Sequence, residues 1–205
     1  MREKDLNKQR SRWTKKFFKK RINKVSRQYA ELINEDYKKV IKRAETLLRI
    51  EKIDYPFEAP IMITLPDSFS KDVKVRFTYG ESEDKKMNLY YDQSLVTSLF
   101  FGEQSLFFHR CNVDHTTGNI GYDVAGELNY ADIVYAQTTF RYDTQNKLHQ
   151  YQLVVELSLL DGTIVPLYLR NHTIHDNYGG LDTVLTEQEE YILDTIKGYI
   201  RASKE

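Results

Sequence analysis

The stretch QLVVELSLLDGTIVPLYL, residues 152–169, holds two apolar runs on either side of Asp161-Gly162. An Asp-Gly pair favours the positive φ angles of a two-residue hairpin turn, so the two runs are predicted to be adjacent antiparallel strands. On both sides of this hairpin, β-branched and aromatic residues recur with a period near two, as strands require. The sequence therefore predicts a β domain built around residues 152–169.

Further strands are predicted on both sides of this hairpin, and LFFGEQSLFFHR, residues 99–110, indicates a second hairpin that turns at 102–104. Strands that follow one another so closely favour a β-barrel or a strongly bent sheet over an alternating α/β fold. The predicted strands occupy 73–79, 86–91, 95–101, 105–113, 126–130, 132–141, 149–160 and 163–169.

A C-terminal amphipathic helix is predicted at 186–203. Thr186 and Glu189 have the spacing of a capping box, and the apolar residues that follow share one helix face. We expect this helix to close an open end of the β domain. Its apolar face comprises Ile192, Leu193, Ile196, Tyr199 and Ile200.

The N-terminal segment has a different pattern, because residues 1–55 contain no glycine or proline and all nine glycines lie at position 80 or later. Apolar residues from 18 to 47 recur at alternating steps of three and four, which predicts one long helix over about 11–52. At about 1.5 Å per residue this helix would be roughly 60 Å long. Tyr55-Pro56 ends it, and we predict three regions: a basic amphipathic extension (1–55), a proline-containing connector (56–70) with room for a strand at 61–65, and the β domain (71–205).

The order of elements resembles the bacterial pleckstrin-homology-like (PH-like) domains. The likeness is carried by GELNYADIVYAQTTFRY, YQLVVELSLLDGTIVPLYLRNH and TEQEEYILDTIKGYI, and it covers residues 98–203. In that family a half-open barrel of about seven strands is closed by one C-terminal helix. The resemblance implies an α+β, PH-like fold used for binding and scaffolding, and it brings no catalytic residues to this chain.

Charge is distributed unevenly along the chain. Residues 1–28 hold twelve lysines and arginines against Glu3 and Asp5, although the formal net charge of the protein is zero. Such a split indicates a basic arm with an anionic partner, which is a phosphate polymer, an anionic bilayer or the acidic remainder of the protein itself.

We expect a cytoplasmic protein that can lie peripherally at the inner face of the membrane. The lone Cys111 excludes an internal disulfide, as in a reducing compartment. The sequence has neither a membrane-spanning apolar run nor the apolar core of a secretory signal.

Trp13 and Phe17 are the unusual residues of the basic segment. On a helical wheel, Phe18, Ile22 and Val25 fall on the packing stripe, whereas these two aromatic residues fall among lysines. An aromatic ring flanked by ammonium groups suits a lipid headgroup region, and it also suits nucleic-acid phosphates with a stacked base. Packing of the helix on a second copy or on the protein's own body, as in a short coiled coil, is the competing interpretation. The candidate partner-binding residues are Trp13, Lys16, Phe17, Lys20, Lys24 and Arg27.

The common enzyme and cofactor motifs are absent from the sequence, so we predict no catalytic residues, no cofactor and no metal site. Two weaker patterns were considered. His172, His175 and Asp176 could ligate zinc or iron, but histidines three apart in a polar loop are usually solvated. In NVDHTTGNIGYD, residues 112–123, His115 and its acidic neighbours lie near Cys111 and imitate a nucleophile with a base, but their composition is that of a turn. Those acidic neighbours are Asp114 and Asp123.

A binding or scaffolding protein is the function that we predict, with a protein partner or self-association ahead of an anionic membrane, and nucleic acid last. The alternative is a small-ligand binder or enzyme that uses the interior of the β domain. A pocket where His109, Glu127 and His149 converge would favour that alternative. An interior filled by aromatic residues would favour binding, and four residues are predicted to fill it: Phe107, Tyr130, Phe140 and Tyr168.

Overall fold

The computed structural model describes residues 3–19, 22–24, 27–50, 59–69, 74–81, 87–145, 148–175 and 184–205. It shows an α+β protein with three α-helices, which are α1 (Glu3–Phe17), α2 (Arg27–Leu48) and α3 (Glu187–Ala202). The strands are β1 (Ile22–Lys24), β2 (Ile61–Pro66), β3 (Phe77–Glu81), β4 (Met87–Tyr91), β5 (Gln93–Phe101), β6 (Ser105–Asp114), β7 (Asn119–Asn129), β8 (Ile133–Gln145), β9 (Leu148–Leu159) and β10 (Ile164–His175).

The strands form three sheets with the orders β1-β3-β4, β2-β5-β6-β7 and β8-β9-β10. β1 pairs with β3 in parallel, whereas β3 with β4, β8 with β9 and β9 with β10 pair antiparallel. Within the described residues none of these sheets closes into a barrel, so the predicted closure is not found. A 3-10 turn at Tyr130–Asp132, capped by the Asn129 side chain, separates β7 from β8, and these two strands belong to different sheets.

The chain forms two compact units. The first contains residues 1–50, 60–98 and 108–125, and the second contains residues 51–59, 99–107 and 126–205. The basic segment therefore shares a unit with strands β1 to β4.

The prediction of a single helix over 11–52 is wrong. α1 ends at Phe17, residues Ile22–Lys24 pair with β3, and α2 begins at Arg27. The physical reason is a buried aromatic cluster, in which the Phe17 ring stacks on Tyr29 at 3.9 Å between centroids and Phe18 meets Tyr29 edge-on at 5.9 Å. Burying such side chains is worth about 1.5–3 kcal/mol each. Helix propensities differ by only a few tenths of a kcal/mol per residue, so this burial decides the conformation.

The hairpin at Asp161-Gly162 is confirmed, but its turn is longer than predicted. Gly162 has φ of 83°, whereas Asp161 is absent from the described non-glycine residues with positive φ, which are Arg49 and Tyr122. The Leu159 N–H donates to the carbonyl of Thr163 at 2.8 Å, and the Gly162 N–H donates to the carbonyl of Leu159 at 3.0 Å. This pattern is a three-residue turn with the glycine in the left-handed region.

Two segments predicted as loops continue as strands. β7 begins at Asn119, so the turn in residues 112–123 is limited to the four residues after Asp114. β10 runs to His175 and includes His172, so these two histidines lie on a strand rather than in a polar loop. The metal ligands weighed in the sequence, which are the side chains of His172 and His175 and all of Asp176, lie outside the described residues.

α3 is attached to β10 through its first turn. The predicted capping box of Thr186 and Glu189 is confirmed, and the Glu189 carboxylate also accepts from buried Arg170, with the Nε to Oε1 distance 2.8 Å. Tyr199 stacks on the fully buried Tyr130 at 5.0 Å between centroids. Phe107 and Tyr168 are half-buried, but Phe140 is exposed, contrary to prediction, and its ring lies 5.9 Å from the guanidinium carbon of Arg170.

Candidate functional site

α1 presents a basic face to solvent. The spacing of four and three residues between positions 8, 12 and 15 places three cationic side chains in one row of α1, and the neighbouring Lys16 widens it. Lys19 lies in the turn that directly follows α1. All five side chains are exposed, and none has an ion-pair partner among the described residues. We call this set the α1 basic face, and it comprises Lys8, Arg12, Lys15, Lys16 and Lys19.

The opposite face of α1 is buried in the first unit. Arg10, Thr14 and Phe17 are spaced by four and three residues and are all at most 6% exposed. Because one face is packed, α1 holds the basic face in a defined position. The exposed Trp13 lies between the two faces on the helical wheel, 60° from Lys16 at about 100° per residue.

Of the predicted partner-binding residues, those whose side chains the structure describes are not all on one exposed surface. Trp13 and Lys16 are exposed as predicted, but Phe17 is buried, because its ring fills the cluster with Tyr29 and is unable to reach a partner. Arg27 is exposed and its Nε donates to Glu31 at 2.8 Å. Lys20 lies outside the described residues, and for Lys24 only the backbone of β1 is described.

A cleft of about 600 Å³ lies between α2 and β7 in the same unit. One helix face supplies its basic side, with Lys39, Lys42 and Arg43 in successive turns. The other wall includes Gly118, Asn119, Ile120 and Asp123. Neither lysine has an ion-pair partner among the described residues, so the cleft can accept an anionic group.

Arg43 is already neutralised by Asp123. Both ends of its guanidinium donate to the two carboxylate oxygens, with the Nε to Oδ1 distance 3.0 Å, and His109 Nε2 lies 2.9 Å from Oδ1. The hydrogen bond from Arg43 holds the pKa of the Asp123 carboxyl below its usual range, against the opposing effect of burial, and His109 adds to the lowering. The carboxylate is therefore a fixed anchor for Arg43.

His109, Cys111 and Asp123 offer three possible metal ligands whose atoms lie within 4.8 Å of one another. Alternation along β6 places the first two on one face of the strand. A metal would have to displace both Arg43 from the carboxylate and a proton from the thiol, since burial raises the pKa of Cys111 to about 12. Cys111 instead packs among valines, so neither a metal nor a reactive thiol is indicated.

The structure also describes two other features considered in the sequence, the turn after Asp114 and the pocket where His109, Glu127 and His149 would converge. The Asp114 carboxylate accepts from the N–H and hydroxyl of Thr116, as in the predicted turn. Glu127 is exposed and His149 stacks with Tyr142, so each residue of the proposed converging set has its own surroundings.

A buried polar network crosses the first unit. Arg10 donates two hydrogen bonds to Asp36, at 2.8 and 2.7 Å, and a third to the His115 carbonyl at 3.0 Å. His115 Nδ1 lies 2.9 Å from Asp36 Oδ2, and its Nε2 lies 3.3 Å from Ser94 Oγ. In the sequence, Asp36 falls between Ile33 and Val40 on the buried stripe of α2, and His115 falls in a segment predicted as a turn. A carboxylate on an apolar stripe was the one signal of this network.

Gly118 allows the guanidinium of Arg10 to approach the backbone. A Cβ at this position would lie 2.8 Å from Arg10 Cζ, and φ is +78°. We expect Gly118→Ala to lower the free energy of unfolding by about 1–2 kcal/mol through the backbone term, plus a further loss through displacement of Arg10. Gly162→Ala is the matched control, with φ of +83° and nothing within 4 Å. Equal losses in urea denaturation would show that the Arg10 contact contributes nothing.

Comparisons of the chain with family models, with curated proteins and with solved structures gave no match. Among the described helices, none is both long enough and apolar enough to cross a membrane.

Proposed function

We propose that this protein is a binding or scaffolding protein that binds an anionic membrane surface through the α1 basic face. The observation that carries the proposal is the set of five exposed cations, four on α1 and one in the turn after it, with the opposite face of α1 buried. The proposal includes a cytoplasmic location, which rests on the lone cysteine, and a PH-like fold for residues 98–203. The meander of β8, β9 and β10 followed by α3 supports that fold.

A membrane surface is favoured over nucleic acid by the aromatic residues beside the cations. Single strands are bound on several stacking platforms, whereas Trp13 is the one exposed aromatic residue beside these cations in the described part of the segment, because Phe17 and Phe18 are buried. One tryptophan at the edge of a row of lysines suits the headgroup boundary. Each lysine or arginine near an anionic bilayer contributes about 1 kcal/mol, so the five together are sufficient for peripheral binding at low salt.

Sedimentation with lipid vesicles tests the proposal. We expect the protein to pellet with phosphatidylserine-containing vesicles at low ionic strength, and to stay in the supernatant with pure phosphatidylcholine vesicles or at 0.5 M salt, because screening removes the attraction. Changing Lys8, Arg12, Lys15 and Lys19 to glutamine is expected to abolish pelleting, and Trp13→Ala to weaken it by about tenfold or less.

The matched control removes the same number of charges from exposed positions elsewhere, by changing Lys38, Lys74, Arg201 and Lys204 to glutamine. It should pellet almost as well as the unchanged protein. Equal loss in the two quadruple variants would mean that net charge, and not the α1 basic face, drives the binding. Pelleting with both lipids, or retention of single-stranded RNA in preference to vesicles, would overturn the proposal.

A further inference from the structure

In the buried network of the first unit, a hydroxyl, an imidazole and a carboxylate lie within hydrogen-bond distance of one another in that order. This is the order of a nucleophile, a base and an orienting carboxylate. Burial alone would raise the pKa of Asp36, but the hydrogen bonds from His115 and Arg10, with their charges, outweigh it and lower that pKa. Asp36 is therefore an acceptor, and the Nδ1 atom of His115, 2.9 Å away, carries the proton. In the neutral imidazole with its proton on Nδ1, the lone pair of Nε2 faces the hydroxyl of Ser94 at 3.3 Å.

Ser94 and His115 also line a cavity of about 270 Å³ in the same unit. This volume is slightly smaller than that of a typical small-molecule site, so it suits a short acyl chain or a single ring. Burial raises the pKa of Tyr37 in its wall to about 12, so this phenol remains protonated. The remaining lining residues are Ile33, Thr64, Leu89, Tyr90 and Tyr91.

We propose that Ser94 is a nucleophile activated by His115, and that it accepts a small acyl group from an ester bound in this cavity. Asp36 and Arg10 are positioning residues in this site: the first orients the imidazole, and the second holds the carboxylate in place with two hydrogen bonds. The site is separate from the α1 basic face, and it does not depend on membrane binding.

The reaction is an ester hydrolysis in two steps. Ser94 Oγ attacks the carbonyl carbon as its proton passes to His115 Nε2, the bond to the alcohol breaks, and the leaving alkoxide takes the proton from His115. Water then attacks the acyl-serine with His115 again as the base, and the carboxylic acid leaves with Ser94 restored. Ester and water are converted to acid and alcohol, with no oxidant or metal required.

Arg10 is expected to lower the rate of this ester hydrolysis. It shares the charge of Asp36, so the carboxylate stabilises an imidazolium at His115 less than an unshared carboxylate would. His115 is the base in both steps, so both are expected to be slow with ordinary esters. With an activated ester, whose alcohol leaves readily, acylation becomes the faster step and the acyl-serine accumulates, so a covalent readout is the suitable test.

The protein is incubated with a small alkyl fluorophosphonate, and the intact mass is measured. Ser94 Oγ displaces fluoride from phosphorus, and its proton passes to His115. One adduct that maps to Ser94 is expected, and none in Ser94→Ala. The matched control is Ser98→Ala, which removes a buried hydroxyl from the same strand, and this hydroxyl has no hydrogen-bond partner among the described residues. This variant should label as the unchanged protein does.

A second measurement uses p-nitrophenyl acetate, with a burst of nitrophenol close to one equivalent expected from the unchanged protein and from Ser98→Ala, and no burst from Ser94→Ala. His115→Asn, with its fold checked by circular dichroism, should label at least about 100-fold more slowly, which is the usual contribution of a general base. Absence of an adduct in the unchanged protein, an adduct at another residue, or an equal burst in Ser94→Ala would overturn the proposal.

Discussion

Replacing Asp36 with alanine is expected to lower the free energy of unfolding by about 3–5 kcal/mol, enough to unfold a large part of the protein at 37 °C. Asp36 is fully buried and accepts two hydrogen bonds from Arg10, while His115 Nδ1 lies within hydrogen-bond distance of it. Without the carboxylate, the guanidinium of Arg10, only 6% exposed, keeps its charge without a counter-ion. Most of the lost stability comes from leaving this buried charge uncompensated, and less comes from losing the hydrogen bonds themselves.

Urea denaturation followed by circular dichroism measures this loss. Glu35→Ala, at the exposed neighbouring position of α2, is the matched control and should change stability by about 0.5 kcal/mol or less. Removing both charges, in Arg10→Met with Asp36→Leu, is expected to recover part of the loss, because apolar residues replace buried ion pairs at little cost. A double variant less stable than Asp36→Ala alone would contradict this account.

We expect the stabilising contribution of the Asp36 carboxylate to fall in acid. The pKa of Asp36 is lowered from its ordinary value of 3.8 on folding, so its contribution is present above that value and is lost as the pH falls through the lowered pKa. The stability difference between the unchanged protein and Asp36→Asn should therefore be largest near neutral pH and should shrink in acid. A constant difference from pH 7 to pH 2.5 would show that the ionised carboxylate is not the stabilising form.

Glu189→Ala is expected to have the second large effect, also about 3–5 kcal/mol. The Glu189 side chain accepts from the Thr186 N–H at 2.8 Å in the capping box and pairs with Arg170, which is 3% exposed. Arg170 Nη1 has no hydrogen-bond partner among the described residues, so loss of Glu189 leaves the whole guanidinium buried without an acceptor. The α3 helix would then lose its ion pair with β10 and one of the two capping-box hydrogen bonds, whereas the Thr186 hydroxyl would still accept from the N–H of residue 189.

Denaturation of two further variants separates the cap from the charge. Glu189→Gln retains an acceptor for the Thr186 N–H, so a loss of similar size would assign the effect to the buried charge of Arg170. Glu190→Ala is the control on the same turn, since Glu190 is exposed, and it should cost no more than about 1 kcal/mol through the helix dipole. An equal loss at both positions would show that the Arg170 pair adds nothing.

The β-rich part of the fold followed from the sequence with small errors. Strand period, turn residues and the capping box are local signals, so β5, β6, β8, β9 and α3 lie close to their predicted positions. The pairing of strands into three open sheets did not follow, because alternation along one strand carries no information about which strands it joins.

The candidate sites were harder to predict from the sequence than the strands and helices were. Residues of the α1 basic face are close in sequence, and the helical spacing already placed Lys16 and Trp13 together. In contrast, the buried network joins four separate segments, which contribute Arg10, Asp36, Ser94 and His115. The His109–Asp123 pair joins two strands. A hydrogen bond between residues 79 positions apart leaves no periodic trace.

The sequence by itself determined the α+β class, the hairpins, the capped C-terminal helix and the concentration of positive charge at the N-terminus. These features depend on interactions between residues within a few positions of one another. Only the tertiary structure decided that the N-terminal helix breaks and that Phe17 is buried. It also decided that Asp36 joins Arg10, His115 and Ser94. The reason is energetic: burying an aromatic cluster and pairing a buried charge are worth several kcal/mol, whereas the local helix preference is worth only tenths per residue.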